Sequence, residues 1–163
     1  KIKIDKKINA GELHDKLKLL GASIVEKTLK GVLENSLQRV KQIQKNNINT
    51  AYKFDKKNIK IDWNQNCLEI YNKIRGLSPY PGAKTSLVSK SGETVNTIFY
   101  ESEYLAEKHN HNNGKIIHEK GKIKITCKNG YLIIKNLKIE GKRRMDTESL
   151  LNGFKIEKYE MVK

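Results

Sequence analysis

The chain has 163 residues, the length of one ordinary domain or two small ones. With 37% apolar residues it is too hydrophobic for a disordered tail, and its longest apolar run, Tyr131-Leu132-Ile133-Ile134, is far short of the roughly 18 residues of a membrane span. The 33 Lys and Arg outnumber the 18 Asp and Glu, a net charge of +15, and two cysteines, Cys67 and Cys127, are too few for a disulfide framework.

The first predicted element is a helix. Asn9 is a good N-cap and Glu12, three residues on, completes a capping box. Leu13, Leu17, Leu20, Ile24, Val25, Leu29, Val32 and Leu33 then recur at three- and four-residue steps. Gly21 inside this pattern predicts a close packing partner at that point. Ahead of the helix, Ile2, Ile4 and Ile8 among Lys and Asp predict a strand. One strand and one helix make no core, so residues 1–34 read as the end of a larger unit. Residues 35–60 fit neither period and carry Arg39, Lys41, Lys45, Lys53, Lys56, Lys57 and Lys60, which reads as an extended basic linker.

A second helix follows, with Asp62 as its expected cap, a stripe of Cys67, Ile70, Tyr71 and Ile74, and an end near Gly76, since Pro79 and Pro81 cannot continue it. Trp63, the only tryptophan, reads as a packing anchor at its mouth. From Gly82 onward the period becomes two. Residues 84–89 and 95–100 flank Lys90-Ser91-Gly92-Glu93 as a hairpin. Ile116 and Ile117 form a further strand. Ile123, Ile125 and Cys127 alternate with Lys122, Lys124 and Thr126, and Asn129-Gly130 predicts a tight two-residue turn into a returning strand over 131–139. A short helix at Ser149, Leu150 and Leu151 ends at Gly153. Five short strands and a small helix in about 80 residues predict a small barrel of the OB type.

The surplus charge is mostly lysine: 29 Lys against 4 Arg, beside 16 Asn and 19 Ile. Lys, Asn and Ile rise together in AT-rich genomes, which accounts for part of the excess. The acidic residues have not risen to match, and a surplus of this size favours a polyanion, most simply nucleic acid. Residues 115–144 hold ten Lys or Arg and two acids, Glu119 and Glu140. Lys122 and Lys124 lie on the face opposite Ile123 and Ile125, and Lys142, Arg143 and Arg144 follow as a triplet. Aromatic residues are sparse there, so phosphate contacts are expected rather than base readout.

Three stretches resemble one family. Ile61-Asp62-Trp63-Asn64 leads to Ile74-Arg75-Gly76-Leu77-Ser78-Pro79-Tyr80-Pro81-Gly82-Ala83, similar to the signature opening the C-terminal domain of methionyl-tRNA formyltransferases. Gly141-Lys142-Arg143-Arg144-Met145 with Leu150-Leu151-Asn152-Gly153 resembles the end of that domain, and Asn9-Ala10-Gly11-Glu12-Leu13-His14-Asp15-Lys16-Leu17 resembles the helix closing the catalytic domain. Tyr80 stands where tryptophan is commoner, Asn9 where a threonine cap is usual, and Ala51-Tyr52-Lys53 lacks a proline the family often has.

The resemblance implies a mainly β fold: a small OB-like five-stranded barrel with short helices, preceded by a long helix and a basic linker left from an α/β formyltransferase domain. The implied divisions are 1–34, the end of the catalytic domain; 35–60, the basic linker; and 61–163, the OB-like tRNA-binding domain. The family's catalytic asparagine, histidine and aspartate, and its folate loop, have no counterpart here. No catalytic, cofactor-binding or metal residue is therefore expected, and the chain alone is expected to be inactive. By resemblance the complete enzyme uses 10-formyltetrahydrofolate as co-substrate, initiator methionyl-tRNA is the partner, the missing catalytic domain acts in cis, and the protein is a cytoplasmic monomer without a membrane role. The tRNA would be held by Lys41, Lys45, Lys53, Lys56, Lys57 and Lys60 in the linker and by Lys122, Lys124, Lys142, Arg143 and Arg144 in the barrel.

The other chemistry-bearing residues read blandly. His109, His111 and His118 lack Cys or carboxylate partners at ligand spacing. Cys67 and Cys127 read as small buried hydrophobes. Glu101, Glu103 and Glu107 have no histidine to support acid–base work. Two other readings are the second domain of an amino-sugar-nucleotide formyltransferase and a stand-alone OB-type RNA-binding module.

Overall fold

The computed structural model describes residues 1–43, 50–55 and 57–163. Helix α1 (Ala10–Leu33) starts on the expected capping box: Glu12 N–H donates to Asn9 Oδ1 at 2.9 Å, and Asn9 N–H donates to Glu12 Oε2 at 3.0 Å. Two expectations fail around it. Residues 1–9 form no strand, because no neighbouring strand among the described residues accepts the ladder; Ile8 alone is buried, and its carbonyl accepts from Arg75 Nη1 at 2.9 Å. Among the described residues, nothing lies within 4 Å of where a Cβ on Gly21 would sit. The apolar stripe of α1 is largely uncovered, with Leu17, Ile24, Val25, Leu29 and Val32 all exposed.

Helix α2 (Cys67–Leu77) buries Cys67, Ile70, Ile74 and Leu77, one stripe at helical spacing. Its N-cap is Asn66, whose N–H donates to Glu69 Oε2 at 3.0 Å, and not Asp62, which accepts from Asn64 N–H in the preceding turn. A capping position needs extended backbone beside the first turn, and Asp62 lies four residues too early.

The mainly β fold expected from the two-residue period is present. Strands β1 (Ala83–Ser89), β2 (Thr94–Leu105), β3 (Ile116–Glu119), β4 (Lys122–Cys127), β5 (Gly130–Ile139), β6 (Met145–Asp146) and β7 (Tyr159–Val162) form one sheet in the order β3-β4-β5-β2-β1-β7, with β6 on β5. The sheet curls until its ends meet: Lys115 bridges Met161, and Val162 N–H donates to the Gly114 carbonyl at 2.8 Å. The short β6 and β7, which the sequence pattern does not separate, complete this nearly closed barrel. The chain joins it at Ile59, whose carbonyl accepts from Lys84 N–H at 2.8 Å. Helix α3 (Thr147–Leu151) starts on Asp146, whose Oδ1 accepts from Ser149 N–H at 2.7 Å.

Ile123, Ile125 and Cys127 face the core as expected, joined by Leu132, Ile134, Leu137 and Ile139 from β5. The turn between β4 and β5 is displaced by one residue from the expected Asn129-Gly130. Cys127 pairs with Gly130, so Lys128 and Asn129 form the loop, and neither has positive φ. Gly130 is required for a different reason: a Cβ there would collide with the Leu105 carbonyl oxygen. The hairpin turn with both central residues left-handed lies instead at Lys120 and Gly121, at φ +51° and +72°, between β3 and β4.

Candidate nucleic-acid interface

The expected contact residues fall in separate places. Lys41 and Lys53 are exposed on irregular stretches, whereas Lys45 and Lys56 lie outside the described residues. Lys57 and Lys60 are exposed at the end of the linker, where Asp55 Oδ1 accepts from the Lys57 and Asn58 N–H groups at 2.8 and 2.7 Å. They line a shallow cleft of about 490 Å³ together with Trp63, Asn113 and Lys163. Trp63 is buried, donates from Nε1 to Thr85 Oγ1 at 3.1 Å and meets Phe99 edge-on at 6.2 Å, which makes it a packing anchor and removes it from base stacking.

On the barrel, the two-residue alternation of β4 puts Lys122 outward and leaves Lys124 half-buried. Lys124 Nζ donates to Glu119 Oε2 at 3.1 Å, and with Lys120 nearby holds that carboxyl below the usual glutamate range. Lys124 is thus partly neutralised by its cross-strand neighbour. Lys122 borders a groove of about 510 Å³ shared with Lys120 and Lys135. Lys135 is absent from the sequence expectation, although its signal is present: Leu132 and Ile134 point inward, so Lys135 shares the outward face with Lys122.

The triplet divides. Lys142 and Arg143 are exposed in the turn between β5 and β6 and form no ion pair among the described residues. Arg144 also makes contacts within the chain. Its Nε donates to Asn136 Oδ1 at 2.6 Å, and its guanidinium lies 4.2 Å over the Tyr100 ring. Arg75, too, is absent from the sequence expectation. Its Nε donates to Asn72 Oδ1 at 2.8 Å, and its Nη1 holds the N-terminal segment through Ile8.

The histidine loop is less solvated than its composition suggests. His109 is half-buried, and its Nε2 lies 2.8 Å from the Cys127 carbonyl and 3.0 Å from that of Gly130. A ring N–H there donates to both, closing the β4–β5 hairpin. His118 Nδ1 meets Glu157 Oε1 at 2.9 Å. Among the described residues, no group of three or more His, Cys, Asp or Glu could hold a metal ion, and no helix is long and apolar enough to cross a membrane. Both cysteines are buried; burial pushes the Cys127 thiol up to about 12.

Comparison with known proteins agrees with this architecture. Residues 53–155 match the family described as formyl transferase, C-terminal domain. The chain is 44% identical over 152 residues to the methionyl-tRNA formyltransferase of Flavobacterium johnsoniae, covering 93% of this chain and 48% of that protein. It is 36% identical to that of Flavobacterium psychrophilum, covering 99% of this chain and 51% of that protein. The chain therefore spans about half the length of these curated relatives. Among solved structures, a HypX variant from Aquifex aeolicus superposes with a TM-score of 0.65 at 16% identity, covering 94% of this chain and 27% of that one, a likeness of fold.

Proposed function

Because the chain belongs to the family of formyl transferase C-terminal domains, we propose that it is the tRNA-binding C-terminal part of a methionyl-tRNA formyltransferase acting in translation initiation. The complete enzyme in this reading is a cytoplasmic monomer that moves a formyl group from 10-formyltetrahydrofolate to the amino group of methionine on initiator tRNA. Residues 1–34 close the catalytic half, residues 35–60 link the halves, and residues 61–163 grip the tRNA. The uncovered apolar stripe of α1 supports the first division, since Ile24, Val25 and Leu29 on one face need a partner that the described residues do not supply. In this reading the transfer chemistry belongs to the catalytic half of the enzyme, and residues 1–163 alone are expected not to transfer formyl groups.

The carrying observation is the set of exposed cations without carboxylate partners among the described residues, Lys142 and Arg143 in the turn between β5 and β6 and Lys122 on β4, on a chain of charge +15. Such side chains attract a phosphate backbone without reading bases. Replacement of Lys122, Lys142 and Arg143 with Ala is expected to weaken tRNA binding equally for initiator and elongator species. The log–log salt slope should fall by roughly 0.7–0.9 for each phosphate that is no longer neutralised. The same number of replacements at Lys108, Lys155 and Lys158 is the control. Equal weakening in both triple variants, or none in the first while it remains folded, overturns the assignment.

A further inference from the structure

We propose that the cleft between α2, the bulged middle of β2 and the N-terminal segment receives one unpaired base of a bound RNA. This rests on the reading of the chain as an RNA-binding domain and adds base contact to a surface otherwise suited to phosphates. The cleft has a volume of about 590 Å³, within the range that encloses small ligands.

Its charge separates it from the rest of the surface. Lys7, Arg75 and Arg144 are balanced by Glu12, Glu101 and Glu103, three cations against three carboxylates. On a chain carrying +15, a balanced cleft selects against phosphate and suits a neutral group rich in donors and acceptors. Glu12 Oε2 is occupied by Asn9 N–H, and Glu103 by Lys135 at 3.0 Å. Glu101 has no ion-pair partner among the described residues, which leaves its oxygens to accept from a base edge.

The walls supply stacking surfaces. Tyr71 and Tyr104 lie 5.1 Å apart at a 50° tilt, and Tyr104 is 44% exposed. The Arg144 guanidinium is held over Tyr100 and fixed through Nε by Asn136, so its terminal N–H groups are pre-oriented. Aromatic rings and guanidinium planes are the surfaces on which extruded RNA bases stack.

The backbone is distorted at this place. The pairing of β2 with β5 shifts register on both sides of Glu101, a bulge that redirects the residues beside it. The bulge puts Ser102, only 7% exposed, against the cleft, and its Oγ has no hydrogen-bond partner among the described residues. A buried hydroxyl without a partner is rare. The hydroxyl itself is enclosed, so the base edge meets the exposed Glu101 carboxylate and Arg144 guanidinium rather than Ser102 Oγ.

The experiment compares a fluorescein-labelled pentauridylate with an abasic pentamer of the same phosphate count, alongside tRNA, across a salt series. The chain should bind pentauridylate about 5- to 150-fold more tightly than the abasic strand, the range that one stacked base supplies. Tyr104→Ala should remove that difference without changing the salt slope. Arg144→Lys, which keeps the charge and loses the flat guanidinium, should reduce it in a protein that stays folded. Equal affinity for the two pentamers in the unaltered chain, binding of neither, or a preference that survives both replacements overturns the base cleft. If tRNA still binds with a steep salt slope in those cases, the RNA-binding reading stands and only the cleft fails. Absence of tRNA binding overturns the broader reading.

Discussion

The Asn129 side chain caps a helix 62 residues away: its Oδ1 accepts from the Cys67 backbone N–H at 2.9 Å. Cys67 opens α2, so its N–H has no partner within the helix. The β4–β5 turn therefore ties the barrel to the helix lying across it, and Lys128 N–H adds a bond to the Gln65 carbonyl at 3.2 Å. Asn129→Ala should cost about 1 kcal/mol, as loss of a helix cap does. That would lower the melting temperature by roughly 2–4 °C for a chain of this size. Asn129→Asp, which keeps an acceptor, should retain most of the stability in the same thermal scans.

Ile125 is completely buried at the centre of the core, whereas Lys124 beside it is half-exposed and paired with Glu119. Ile125→Ala should cost on the order of 2–5 kcal/mol. Lys124→Ala should cost under about 1 kcal/mol, the range of a surface ion pair. Urea titrations of the two variants check the strand phase, since a slip of one residue would exchange the two outcomes.

Cys67 and Cys127 are both buried, and desolvation raises both thiols, with Cys67 adding to the shift at Cys127. A thiol pushed up to about 12 carries almost no thiolate near neutral pH, and thiolate is the reactive form. Iodoacetamide should therefore label the native chain only as fast as it opens, and labelling should accelerate in step with unfolding when urea is added. Rapid labelling without urea would contradict this burial.

Asp146 is held below the ordinary aspartate range by the Ser149 N–H and, secondly, by the Ser149 hydroxyl at 2.9 Å. A carboxyl with a depressed folded-state pKa contributes stability above its unfolded value and loses it as pH falls through the folded one. The anchoring of α3 should thus weaken as pH falls from about 4, the ordinary aspartate value. Asp146→Ala should remove that contribution, so the gap between its thermal stability and that of the unaltered chain should narrow across the same acid range.

Local features were legible because their partners lie within a few residues. The capping box of Asn9 and Glu12 spans one helical turn, the stripe of Cys67, Ile70 and Ile74 follows the helical repeat, and Ile123, Ile125 and Cys127 show the alternation that every half-buried strand must have. These positions determined the helices, the β character and the inward faces of the strands. Features that depend on chain segments brought together from a distance were not legible. Gly130 is needed because Leu105 passes over it, not because its own φ is unusual, whereas the Asn66 cap of α2 rests on a capping box with Glu69 as local as that of Asn9 and Glu12. The triplet shows the same division. Lys142, Arg143 and Arg144 are indistinguishable as a run of cations, yet only the tertiary structure sends Arg144 across to Tyr100 and Asn136, since a side chain's partners are set by which strands lie beside it.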